Sequence, residues 1–210
     1  MHDDTPSAAD LETAAWAWLA YESGLSLARV KHILLEQALP KHLSLHEISH
    51  SPAAHLQQSL AISPEEAARL RDWPDQAEAG TNRLVERRRQ GLYLLRCNQE
   101  GYPATLHHHL PPAQLPLLLS LRGDAGLLDL PAVLPWAGVE VDDSAAAWTT
   151  ETLLELAAEG ALALLRAQPG LDAVLARALL HAQAPVALIL AQGLGAYDPP
   201  PGLAAALEAG

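Results

Sequence analysis

Three consecutive histidines, His107, His108 and His109, stand in the stretch GYPATLHHHLPPAQLP, residues 101–116. Imidazoles ligate zinc, copper and nickel, but a metal site needs ligands that converge from separate elements or recur at i and i+4 on a helix. Three in a row, on an irregular segment before Pro111-Pro112, diverge, so no metal site is expected there. Cys97 is the one cysteine. A thiolate there would be a nucleophile, yet it closes an apolar strand and reads as a small core residue. Asp172 opens a helix behind Gly170-Leu171, and Ser144, Thr149 and Thr150 stand where helix caps are expected. No catalytic triad or carboxylate pair stands out. The expectation is a non-enzymatic protein without a cofactor.

Phosphate recognition is the other chemistry to weigh. The stretch RLVERRRQG gathers Arg83, Arg87, Arg88 and Arg89 into one basic cluster. It offers an electrostatic anchor for nucleic acid, although cations in the last turn of a helix also complement the helix dipole. A glycine fingerprint for nucleotides is missing: AVLPWAGV runs into EVDDSAAAW, so Glu140, Asp142 and Asp143 stand where a phosphate loop needs bare backbone. NAD and ATP are therefore not expected. Net charge is −12, and residues 97–210 carry three arginines against twelve acidic residues, which handicaps polyanion binding there. Trp16, Trp18, Trp73, Trp136 and Trp148 are too dispersed to read as a base-stacking platform.

These residues must be positioned by two kinds of structure. From Leu11 to about Trp73 the pattern is helical. Ala14, Trp16, Leu19 and Ala20 mark one buried face, with Thr13 or Asp10 as caps; Leu27, Val30, Ile33 and Leu34 mark another, capped by Ser26. In SPEEAARL, Ser63, Pro64 and Glu66 give an N-cap, a first-turn proline and a capping box. A helix ending at Gln90 and closed by Gly91 leads to the strand LYLLRC, and LPLLLSLRGD follows as a second strand. AVLPWAGV, ALALLRA and PVALILA then alternate as strands with the helices TTETLLELAAEG, led by Thr149 or Thr150, and GLDAVLARALLHAQ. Strand and helix in alternation imply right-handed crossovers and a parallel sheet. The fold class expected is α/β: a small helical, SAM-like or helix-hairpin-helix module over residues 1–80, then a linker and a partial Rossmann-like parallel sheet over residues 81–210. The polar, acidic start MHDDTPSAAD lacks the features of a signal peptide, the apolar runs are too short to span a bilayer, and the lone cysteine suits a reducing compartment. A cytoplasmic protein is expected.

The order of these pieces resembles the DNA-processing protein A (DprA, also Smf) family. The resemblance lies in Leu92–Leu95, Tyr102-Pro103, Leu106, Pro111-Pro112, Leu115–Leu121 and Gly123, followed by LLDLPAV. It continues through Gly160, Gly170, Asp172, Ala182, Gly193, Leu194, Tyr197 and Pro199, and covers most of residues 11–200. It implies a helical module joined to a Rossmann-like domain that binds single-stranded DNA and loads the RecA recombinase in natural transformation. On that reading Gly138, Arg166, Gly170 and Arg177 belong to the nucleic-acid site, with Arg87, Arg88 and Arg89 as a second anchor. Departures stand out. Gly138 is followed by Val139 and Glu140 where the family has Ser-Arg, Leu165-Arg166 replaces a Ser-Gly, and Ala176 replaces a His. The family's second set of strands has no counterpart before Gly210. The alternative is thus a diverged, shortened relative that has lost DNA binding and serves as a protein-interaction partner. An incomplete parallel sheet leaves an exposed edge, which a partner chain or a second copy is expected to cover.

Overall fold

The structure is a computed structural model, and it describes residues 7–136, 141–199 and 203–205. It divides into two compact units, Met1–Leu121 and Arg122–Gly210.

The first unit opens with helix α1 (Ala8–Tyr21). Its cap is Ser7, not Thr13 or Asp10: the Ser7 hydroxyl accepts from the Asp10 backbone N–H at 3.1 Å, and the Asp10 carboxylate accepts from the Ser7 N–H at 2.9 Å. Asp10 is therefore the third helical residue of a capping box. Thr13 lies a turn further in and donates to the Ala9 carbonyl at 2.8 Å. Helix α2 (Leu27–Lys31) starts at Ser26 as expected, and passes into a π-helical stretch at His32–Ala38. Three short helices follow: α3 (Leu45–His50), α4 (Ala53–Leu60) and α5 (Pro64–Arg71). The Ser63/Glu66 box that starts α5 forms as the sequence indicates. Glu66 also accepts from Arg29, at 2.6 Å from Nε and 2.9 Å from Nη2. The bonds from Arg29 first, and the Ser63 N–H next, hold the Glu66 carboxyl down to about 2.

Helix α6 (Trp73–Arg89) packs along α1. It runs straight through the boundary expected at residues 80/81. Gly80 leaves room for the ring of Trp73, from the first turn of the same helix, which a Cβ there would meet at 3.2 Å, and for Ala14 of α1, which it would meet at 3.5 Å. Strand β1 (Leu92–Arg96), the short helix α7 (Ala104–His109) and strand β2 (Leu118–Arg122) complete this part, with β1 and β2 paired. Their Cys97, Tyr102, Leu115 and Leu117 join the same core as Trp16, Leu19 and Trp73. For that reason the division between units falls after Leu121 and not near residue 80. The three histidines close helix α7 rather than an irregular segment.

The second unit holds strand β3 (Ala132–Val133), helix α8 (Asp143–Ala158), strand β4 (Leu162–Arg166), helix α9 (Leu171–His181) and strand β5 (Val186–Ile189). The sheet is parallel in the order β3-β4-β5. Both crossover helices lie on one face of the sheet, where α8 packs against α9. Side-chain alternation then does the rest. Ala163 and Leu165 of β4, level with Val186 and Leu188 of β5, meet Leu153 of α8 and Leu175 and Leu179 of α9. Strand β3 is far shorter than AVLPWAGV implied, and Gly138 and Glu140 lie outside the described residues. Helix α8 is capped by Asp142, whose carboxylate accepts from the Ala145 N–H at 2.7 Å. Thr149 and Thr150 sit inside it and return their hydroxyls to the carbonyls four residues back. No helix among the described residues is long and apolar enough to cross a membrane.

Candidate nucleic-acid interface

The arginine cluster of the first unit lies on the last turns of α6. Most of its charge is answered. Arg83 Nη2 reaches both carboxylate oxygens of Glu22, at 2.9 and 3.1 Å. Arg88 pairs with Asp10 of α1, and Arg89 with Glu86 at 3.5 Å. Burial alone would raise the Asp10 carboxyl, but the bonds from Arg88 and Ser7 overcome it and hold the group below its ordinary range. Arg87 is exposed and has no ion pair among the described residues. The cluster is thus mostly an internal tie between α6 and α1, with Arg87 left to face a ligand.

Arg166 and Arg177 lie elsewhere. Both line one cavity of about 510 Å³ in the second unit. Its walls come from the C-terminal end of β4, from α9, from Leu188 of β5, and from Tyr197 and Leu203. Open α/β sheets place ligands outside the carboxyl ends of their strands, and this cavity stands there. Local sequence explains the arrangement. Strand β4 ends in Arg166, and Ala167-Gln168-Pro169 turn the chain into Gly170, which caps α9 with φ 96°. That dihedral belongs to the region that glycine enters without steric cost. Gly170 therefore acts through the turn between two lining segments, not through a side chain.

Asp172, expected as a simple cap, has a larger part. Its carboxylate lies 3.1 Å from Arg166 Nη2 and accepts from the Arg166 backbone N–H at 3.4 Å. Its side chain is 7% exposed and that of Arg166 32%. The Trp136 ring lies 4.8 Å from the Arg166 guanidinium carbon, a cation–π geometry. Arg166 Nε is buried and has no hydrogen-bond partner among the described residues. Arg177 is exposed at the cavity wall, with no ion pair among the described residues. Gln168, His181 and Tyr197 add neutral or titratable polar groups. Sequence reasoning found the two arginines and missed Asp172, Gln168, His181, Tyr197 and Trp136 as their company. The one available signal was an acidic residue six positions after an arginine that ends a strand.

All three histidines are exposed, and His107 ties α7 back to the preceding turn. His107 Nε2 lies 2.5 Å from the Cys97 carbonyl, and its ring stands 5.3 Å from that of Tyr102. The Tyr102 hydroxyl donates to the Pro116 carbonyl at 2.7 Å. Burial pushes the Tyr102 phenol up to about 12 and the Cys97 thiol up to about 11. The described residues hold no group of three His, Cys, Asp or Glu side chains placed for a metal ion.

A helical module in one unit and a parallel α/β sheet in the other, with a cavity at the strand ends of the sheet, define the fold class. No family model and no curated protein sequence matches the chain. Among solved structures, the chain resembles DNA processing protein A (DprA) from Streptococcus pneumoniae, with a TM-score of 0.59 and 13% identity over 93% of this chain. The chain spans 63% of the length of that DprA. The likeness shows a DprA-like fold.

Proposed function

We propose that the chain is a DNA-processing protein of the DprA kind, which binds single-stranded DNA without catalysing a reaction and presents it to the RecA recombinase. One observation carries the reading: Arg166 and Arg177, eleven residues apart in sequence, line the same strand-end cavity of a DprA-like fold. Tyr197 in its wall and Trp136 over Arg166 supply aromatic faces, on which unpaired bases stack. The test is fluorescence anisotropy of labelled single-stranded DNA across a salt series. Binding should weaken with a shallow slope, about −0.7 in log–log terms for each phosphate contacted, because few cations are free to meet phosphates. Absence of binding at low salt sinks this reading.

Two observations favour the alternative, a relative that has exchanged DNA for a protein partner. The second unit holds three arginines against eleven acidic residues, and the α6 cluster is mostly paired internally. In that reading the outer edge of β5, unpaired among the described residues, takes a strand from a partner chain or a second copy. A monodisperse monomer at high concentration counts against such an edge contact between copies.

A further inference from the structure

The electrostatics of the second unit separate a single anion from a long polyanion. Three arginines stand against eleven acidic residues there, and two of the three, Arg166 and Arg177, line one cavity. A strand lying across this unit must pass a surface of net negative charge. An anion that ends inside the cavity meets only the place where cations are concentrated, and low-dielectric walls focus that field.

The cavity's chemistry narrows the ligand further. At about 510 Å³ it falls within the roughly 300–1,000 Å³ range of small-molecule pockets. Ala173, Ala176, Leu180, Leu188 and Leu203 give it an apolar wall, and Tyr197 an aromatic one. Its charged groups are Arg166, Arg177 and Asp172, with His181 as the titratable neighbour. Asp172 answers only one edge of Arg166, through Nη2. The buried Arg166 Nε still lacks an acceptor among the described residues. A guanidinium that Asp172 answers only through Nη2, with 32% of its side chain exposed, and a second arginine with no ion pair among the described residues together suit a group with several unesterified oxygens and more than one negative charge. A phosphate monoester is such a group. A phosphodiester inside a strand offers one charge and two free oxygens.

We infer that this cavity is a pocket for one nucleoside 5′-monophosphate unit, its phosphate on Arg166 and Arg177 and its base against the apolar and Tyr197 wall. The nucleoside part of this assignment rests on the DNA-binding reading above. The same chemistry has two sources, a free mononucleotide and the 5′-phosphorylated end of a single strand.

The experiment titrates the full chain with thymidine 5′-monophosphate, with thymidine, and with a short oligo-dT carrying either a 5′-phosphate or a 5′-hydroxyl. The monophosphate should bind at least tenfold tighter than thymidine, and the phosphorylated strand at least tenfold tighter than its hydroxyl form. Arg177→Gln, at an exposed position that leaves the fold intact, should erase both differences. Saturable binding of the monophosphate without binding of either strand makes the free nucleotide the ligand, and removes the strand-binding reading alone. Equal binding of the two strands leaves strand binding in place and overturns the pocket. The pocket is equally overturned if neither phosphate monoester binds, or if Arg177→Gln leaves the discrimination unchanged.

Discussion

Asp172→Asn should destabilise the second unit and, at the same time, tighten its hold on a phosphate. The two effects have opposite signs because one carboxylate does two things. In the folded chain it answers Arg166, at 3.1 Å from Nη2, while 7% of its own side chain is exposed. An exposed ion pair contributes about 0–1 kcal/mol, and breaking a fully buried one costs about 3–5 kcal/mol. This pair is buried on one side and open on the other, and asparagine keeps an oxygen for the Arg166 N–H. A loss of about 1–2 kcal/mol is the expected result, read by urea denaturation.

The gain in binding comes from repulsion removed. A phosphate one hydrogen bond beyond Arg166 lies roughly 6 Å from the Asp172 carboxylate. At an effective dielectric near 20, two like charges at that separation repel by about 3 kcal/mol. Screening with a Debye length of about 8 Å roughly halves this. About 1.4 kcal/mol corresponds to a tenfold tighter Kd. Titration with thymidine 5′-monophosphate at physiological salt measures it, on protein whose circular dichroism matches the parent. Unchanged or weaker phosphate affinity in a folded Asp172→Asn variant refutes the placement of Arg166 and Asp172 as opposed charges facing one ligand.

Two further outcomes test the first unit. The Glu66 carboxyl sits at about 2 when folded, against an ordinary 4.5, so its contribution to stability is complete above pH 4.5 and is lost as pH falls through 2. Urea denaturation between those values should show stability falling with acid, and Glu66→Gln should remove about 1.5–3 kcal/mol at neutral pH and flatten that part of the profile. Cys97 is 2% exposed and its thiol is pushed up to about 11, so a thiol-directed disulfide reagent at pH 8 should label the native chain far more slowly than the urea-unfolded one; equal rates would place the thiol at the surface.

The parts of the fold legible in the sequence were those that local chemistry determines. Ser26, Ser63 and Glu66 announce their helices because a cap is a bond between residues three apart. ALALLRA and PVALILA announce strands because continuous apolar runs suit a parallel sheet covered by helices. Errors arose where a distant partner decides. Thr149 and Thr150 resemble caps, but their hydroxyls find carbonyls inside α8, which leaves the cap to Asp142. The boundary near residue 80 follows a change of pattern, from short helices to the joining segment that carries RLVERRRQG and leads to the first strand. Packing ignores that change: α6 runs on through residue 80 along α1, and Cys97 and Leu117 return the chain to the helical core. The histidine segment reads as irregular beside Pro111-Pro112, yet Pro103 starts a helical turn there and His107 folds back on the Cys97 carbonyl.

Charge was the least legible property, for a reason that bears on function. Arg83, Arg87, Arg88 and Arg89 form the densest basic run in the chain, and a sequence shows nothing of Glu22 and Asp10, which lie 61 and 78 residues from the arginines they answer. Arg166 stands alone in an acidic half and looks weaker, although its Nε remains without an acceptor among the described residues and Arg177 shares its cavity. What a cation offers a ligand is the part of its hydrogen-bonding capacity that folding has not used. By that measure the isolated arginines of the second unit outrank most of the cluster on α6. On the pocket reading, the surrounding acidity disfavours phosphates lying across this unit more than a single phosphate that ends in the cavity.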